Sequence, residues 1–314
     1  MGKKLTILDI ARLSGVSKST VSRVLTNAPR VNPETRAKVE KVIADNDYVP
    51  SKSAQSMRKQ NQKVIGVIIS RLDSPSENRA VSSMLNVFYA NDYDAVIMES
   101  QFDPDKVSEH LAVLEKRQVD GVVLFGFSGL KADCLKKWKH RIITISMDAV
   151  GISSINYDNY GVISHILEYL KKKSLRNISY IGVDPIDKTT GYLRLNAYLD
   201  WCNEYSVSPC YRTGKLRYES AYQLVDEVLH PETEAIVCAS DTLALGVIKR
   251  LQECQRNDVM VAGVGGSELL SFLFPKVYSI DPGYREAGTN AANQLIKQLK
   301  DRCGSVCLTQ SPNF

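Results

Sequence analysis

Residues 5–25 read LTILDIARLSGVSKSTVSRVL. The pattern predicts two short helices around a tight turn. Thr6 and Ser17 suit the N-cap positions, and Asp9 stands at the third position of the first helix, where a carboxylate is favoured. Gly15 breaks the pattern between the helices. Ile10, Leu13, Val16, Val21, Val24 and Leu25 recur at helical spacing and are expected to face inward, which leaves Lys18, Ser19, Ser22 and Arg23 facing out. This is the outline of a helix-turn-helix whose second helix enters a DNA major groove. A plain helical hairpin shares the periodicity but gives no reason for caps, turn glycine and basic outer face to agree.

Moving outward, Val31-Asn32-Pro33-Glu34 predicts a third helix, with Asn32 as cap and Pro33 at the first helical position. Val39, Val42 and Ile43 would close a three-helix core. Asp47-Tyr48-Val49-Pro50 ends it. Residues 51–58, SKSAQSMR, are weakly helical with few apolar side chains, and such a piece is marginal alone in water. The polar run Lys59–Lys63 reads as a linker.

From Val64 short apolar runs alternate with longer amphipathic stretches. The runs are 64–70, 94–100, 121–126, 141–146, 177–183, 235–240 and 259–265; the helical stretches include 78–90, 104–117, 159–172, 192–204, 218–229 and 241–253. That order predicts doubly wound parallel α/β sheets, with ligands at the carboxyl ends of the strands. The region 148–159 reads as irregular and splits the strands into two subdomains with a cleft between. A last strand at 277–282 and a helix at 284–299 return the chain to the first. The tail 304–314 has no heptad pattern, so no C-terminal coiled coil is expected.

The expected organisation is therefore a helix-turn-helix headpiece at 1–49, a hinge helix and linker at 50–62, and a core at 63–314. Within the core, 63–156 and 283–314 form one subdomain and 157–282 the other.

Charge follows the same division. The 314 residues carry a formal charge of +5, with +7 over residues 1–60 and −2 over the rest. A basic head on a near-neutral body points to a polyanion at the N-terminus and a smaller ligand elsewhere. Seven scattered cysteines (Cys134, Cys202, Cys210, Cys238, Cys254, Cys303 and Cys307) lack metal spacing and suit a reducing, cytoplasmic setting. No signal-like or membrane-spanning run is present. His110, His140, His165 and His230 show no metal spacing, and Val264-Gly265-Gly266-Ser267 lacks the lysine of a P-loop. Neither an enzyme nor a bound cofactor or metal is expected. A free-standing sugar-binding protein would explain the core but not the basic head.

The strand ends nominate Arg71, Glu77, Gly126, Asp148, Arg194, Asp241 and Tyr284 for the cleft. Carboxylates and arginine forks suit sugar hydroxyls, and paired arginines suit phosphate. Glu77 and Asp241 also stand where helices begin, so each equally reads as an N-terminal acid or cap. Arg71 and Arg194 equally read as surface charges.

With these residues in view, the chain resembles the LacI/GalR family of bacterial transcriptional repressors. The segment 5–25, VNPETRAKVEKVIADNDYVPS (31–51) and the sugar-binding-like core carry the resemblance. Within that family it is similar to the trehalose-operon repressors, through RLDSPSEN (71–78), MESQFDP (98–104), DGVVLFGF (120–127), SDTLALG (240–246) and SIDPGYREAG (279–288).

The resemblance implies a homodimer on a near-palindromic operator. Lys18, Ser19 and Arg23 would read bases; Thr6, Ser17, Thr20, Ser22 and Arg30 would contact phosphates; Met57 would wedge into the minor groove from a hinge helix that orders on DNA. It also implies trehalose 6-phosphate as inducer, with Arg71, Glu77 and Arg194 in the site. One position departs. Such repressors tend to carry arginine just before the cleft aspartate, where this chain reads Ser146-Met147-Asp148, which puts Met147 among the expected ligand-binding residues. Either Arg71 and Arg194 supply the phosphate contact without it, or the ligand is a neutral disaccharide. A regulator of another sugar and a corepressor-dependent regulator stay open, because the sign of the response depends on which state the ligand favours.

Overall fold

The computed structural model describes residues 5–25, 28–46, 48, 63–301 and 304–313. Two compact units result, Met1–Lys63 and Val64–Phe314.

In the first unit, α1 (Ile7–Ser14) begins with a capping box: the Thr6 hydroxyl accepts from the Asp9 amide and the Asp9 carboxylate accepts from the Thr6 amide. Gly15 ends it at φ 64°, the left-handed conformation that glycine adopts at least cost. Ser17 caps α2 (Lys18–Leu25) by accepting from the Thr20 amide at 3.1 Å. α3 (Pro33–Asp45) starts from Asn32, whose side chain accepts from Glu34. Ile10, Val21, Val24 and Val39 are buried, with Val16, Leu25, Val42 and Ile43 packed around them. Leu13 corrects the sequence reading, since it is 51% exposed. Its expected inner place goes to Ser14, whose hydroxyl donates to the Ile10 carbonyl at 2.6 Å and so satisfies itself within the helix.

The second unit contains two parallel sheets. The first has the order β11-β5-β4-β3-β1-β2, built from β1 (Lys63–Ile69), β2 (Tyr93–Glu99), β3 (Gly121–Phe125), β4 (Ile142–Ile145), β5 (Ser153–Tyr157) and β11 (Cys307–Gln310). The second has the order β10-β9-β8-β6-β7, from β6 (Ile178–Val183), β7 (Tyr211–Gly214), β8 (Ala235–Cys238), β9 (Met260–Val264) and β10 (Tyr278–Ile280).

Alternation along the strands gives each sheet two apolar faces. Ile65, Val67 and Ile69 pack with Val123 and Ile143 against α4 (Pro75–Ala90) and α11 (Tyr284–Asp301). Ile68, Val122, Leu124 and Ile142 face the other way, against α5 (Pro104–Lys116) and the 3-10 turn Ala132–Trp138. The second sheet is sandwiched by α6 (Asn159–Lys172) and α7 (Arg194–Glu204) and by α8 (Tyr218–Leu224) and α9 (Asp241–Glu253), within one continuous core. A short α10 (Glu268–Leu273) follows β9.

Three strands escaped the sequence reading. The region 148–159 is not irregular throughout, because β5 pairs with β4 inside it. The tail forms β11 alongside β5, and Tyr211–Gly214 forms β7 alongside β6. β1 begins at Lys63, the last residue of the polar run 59–63.

Candidate functional site

Two surfaces gather the nominated residues. On the first unit, α2 presents Lys18, Ser19 and Arg23 as exposed side chains, with Ser22 half-buried beside them. The Ser17 hydroxyl lies 2.7 Å from that of Ser19 and 2.9 Å from that of Thr20, so three hydroxyls cluster at the N-terminus of this helix. Such a terminus, with its amides and partial positive charge, is suited to a phosphate. Thr6 and Arg30 are exposed as well. Met57 lies outside the described residues.

On the second unit, a cavity of 330 Å³ opens at the carboxyl ends of the strands, lined from the first lobe, built on the six-stranded sheet, by Arg71, Ser74, Arg79 and Tyr284, and from the second lobe, built on the five-stranded sheet, by Thr190, Arg194, Ser240 and Asp241. A 110 Å³ pocket shares Arg71, Arg194 and Tyr284 with it and adds Glu77, Phe102, Gly126, Phe127 and Tyr157. The larger volume falls within the roughly 300–1,000 Å³ typical of small-molecule sites.

Each charged wall is fixed by its own partners. Arg194 is buried; its Nε donates to Asn159 Oδ1 at 2.8 Å and its Nη1 donates to the Ala239 carbonyl. Asp241 accepts from the Ser267 amide at 2.8 Å and from the Ser279 hydroxyl at 2.6 Å. Glu77 accepts from the Ser70 amide at 2.7 Å and from the Ser70 hydroxyl. Burial holds the pKa of both carboxyls above the usual range, and these hydrogen bonds pull them partly back. Neither acid is the cap of its helix. That role falls to Ser74 and Ser240, which accept from the amides of Glu77 and Leu243, so the Glu77 carboxylate is turned to Ser70 just past β1 and that of Asp241 to Ser267 and to Ser279 of β10.

Arg71 is differently placed. Its Nε is buried without a hydrogen-bond partner, its ion pair with Asp73 is 3.6 Å long, and its guanidinium lies 5.8 Å from the Phe102 ring. Phe102 meets Phe127 edge-on at 5.7 Å, and Tyr157 meets Tyr284 at 5.1 Å, so aromatic rings flank the smaller pocket. Rings of this kind suit the apolar face of a pyranose.

Met147 and Asp148 do not line either cavity, contrary to the expectation for both. Met147 packs into the apolar cluster behind β3, where a Cβ at Gly126 would collide with it. Asp148 accepts from Ser154 at 2.5 Å and Asn156 at 2.7 Å, because the unrecognised β5 runs beside it. Their neighbour Ser146 reaches the smaller pocket instead. Arg79, Phe102, Tyr157, Asn159 and Thr190 were missed. Phe102 stood within a quoted segment, 98–104, and Asn159 at a helix start; Arg79 gave no local signal.

Comparison with known proteins decides the family. The description "Bacterial regulatory proteins, lacI family" matches residues 6–51, and "Periplasmic binding protein-like domain" matches residues 167–308. The HTH-type transcriptional regulator TreR of Salmonella typhimurium is 46% identical over 303 residues, 96% of each chain, and that of Escherichia coli K12 is 47% identical over 302 residues, again 96% of each. The chain belongs to the lacI family of bacterial regulatory proteins.

Among solved structures, the trehalose repressor from Escherichia coli superposes with a TM-score of 0.79 at 43% identity, over 81% of this chain and 99% of that one. The operator-bound lac repressor dimer, at 20% identity, has the same fold with a TM-score of 0.80 over 99% of this chain and 98% of that one. This lacI-family chain is a DNA-binding transcriptional repressor and not an enzyme. No described helix is long and apolar enough to cross a membrane.

Proposed function

We propose that the chain acts in the cytoplasm as a homodimeric repressor of trehalose-utilisation genes, and that trehalose 6-phosphate releases it from a near-palindromic operator. The observation that carries the effector is Arg71: a buried guanidinium nitrogen without a hydrogen-bond partner, at a cavity that Arg194 and Arg79 also line. A buried arginine nitrogen without a hydrogen bond is costly, its ion pair with Asp73 at 3.6 Å is long, and a phosphate supplies charge-assisted, bidentate acceptors to a guanidinium. Glu77, Asp241 and the Ser74 and Ser76 hydroxyls are suited to sugar hydroxyls, with Tyr284 against a ring. The likeness to the trehalose repressor from Escherichia coli, at 43% identity, supports a trehalose-type sugar.

In this reading residues 1–49 bind operator and residues 50–62 form the hinge and linker. Residues 63–314 bind sugar and dimerise, as subdomains 63–156 with 283–314 and 157–282. Lys18, Ser19 and Arg23 read bases, Thr6, Ser17, Thr20, Ser22 and Arg30 hold phosphates, and Met57 wedges at the dyad. A hinge that is marginal alone folds only when two headpieces lie close on DNA, so a ligand that alters their separation alters operator affinity.

Met147 favours a second reading, a lacI-family regulator of a neutral disaccharide or one that needs a corepressor, since no cation stands before Asp148. Fluorescence anisotropy on a duplex selected from random sequence by the protein separates these. Trehalose 6-phosphate should dissociate the complex and trehalose should not; tightening by either sugar would reverse the sign and reject the reading.

A further inference from the structure

Arg79 belongs to α4 of the first lobe, yet its hydrogen bonds end in the second lobe and the crossover. Nη1 donates to the Gly265 carbonyl, just past β9, and Nη2 donates to Asp281 Oδ2 at 2.5 Å, just past β10. Asp281 Oδ1 in turn accepts from the amides of Gly283 at 2.9 Å and Tyr284 at 3.2 Å, which opens α11 and aims Tyr284 at the cavity. The arginine also sits 5.8 Å from the Tyr284 ring. On the opposite flank, among the described residues, the Lys188 amide donates to the Ser128 hydroxyl at 2.8 Å, a neutral tie.

We propose that Arg79 is a positioning residue that latches the two lobes, through Gly265 and Asp281, at the spacing that binds effector. The side chains of Arg79 and Asp281 are 21% and 19% exposed, so the pair is shielded from the screening that leaves surface ion pairs weak. The latch and the 330 Å³ cavity exist in the same arrangement, so a disaccharide-sized ligand and the closed latch favour the same lobe spacing. Removing the latch widens the distribution of spacings, and the affinity for a ligand that touches both walls falls with the population of the closed form.

The inference rests on this cavity being the effector site, and two readouts on the full-length protein keep that dependence visible. Hydrogen exchange without ligand reads the latch itself. In Arg79→Leu, amides of 263–267 and 281–285 should exchange at least tenfold faster while β8 (235–238) is unchanged. Arg79→Lys should lie between. Calorimetric titration with trehalose 6-phosphate then reads coupling: Arg79→Leu and Asp281→Asn should each lose at least tenfold in affinity, and the double variant no more than either. Unchanged exchange overturns the latch. Faster exchange with unaltered affinity, or additive losses, overturns its role in binding. If Arg79→Leu does not fold, Arg79→Lys and Asp281→Asn carry the same comparison. Failure of the wild type to bind this sugar would reject the effector and leave the exchange result to decide the latch.

Discussion

The Arg71 guanidinium lies 5.8 Å from the Phe102 ring with its Nε buried and without a hydrogen bond, so the cavity holds a cation whose hydrogen bonding is incomplete. Replacement by an apolar side chain of similar length should separate binding from stability. Arg71→Met is expected to weaken trehalose 6-phosphate binding by about 1.5–3 kcal/mol, the scale of a charged hydrogen bond, without lowering the melting temperature. Calorimetry beside thermal unfolding checks both halves. A large drop in melting temperature would mean that Arg71 is structural.

Glu77 makes stability depend on pH. Burial raises its folded pKa above that of the unfolded chain, so between the two values the folded state binds more protons. Stability therefore falls as pH rises from the ordinary carboxylate range through the folded value. Glu77→Gln keeps an acceptor for the Ser70 amide and removes the charge. Its unfolding midpoint is expected to vary less with pH across that window, while sugar affinity drops. A midpoint that depends on pH as in the wild type would contradict the burial argument.

For the headpiece, Lys18→Ala or Arg23→Ala should cost about 1–3 kcal/mol of operator affinity and relax the base preference at one position of each half-site. Thr20→Val should weaken all duplexes alike, as loss of a phosphate contact does. Binding assays on a panel of single-base variants tell the two classes apart; equal losses on every duplex for Arg23→Ala would remove it from base reading.

A chain beginning after Gln60 should keep sugar binding and lose operator binding, because the unit Val64–Phe314 has its own core and the basic excess lies before it. Operator affinity retained by that fragment would sink the domain assignment.

Much of this was legible locally. Capping residues, Gly15 and the two-faced apolar strands announce themselves within a few positions, and those elements stand where the sequence put them. What was lost depended on edges and distance. β7 and β11 are edge strands, covered on fewer sides, and so carry polar sequences such as YRTG and CLTQ without an apolar run. β5 hides behind Ser153 and Ser154, whose hydroxyls are satisfied by Val306, Asp148 and Cys307. Missing β5 misassigned Asp148, and Tyr157 went with it. Arg79 was invisible because its partners are 186 and 202 residues away.

The most direct test of the central claim is calorimetric titration of the full-length protein with trehalose 6-phosphate and with trehalose, side by side. The account predicts saturable binding of the phosphate, one molecule per chain, and much weaker binding of the free sugar. Trehalose binding as tightly as its phosphate, or neither binding at all, would contradict it.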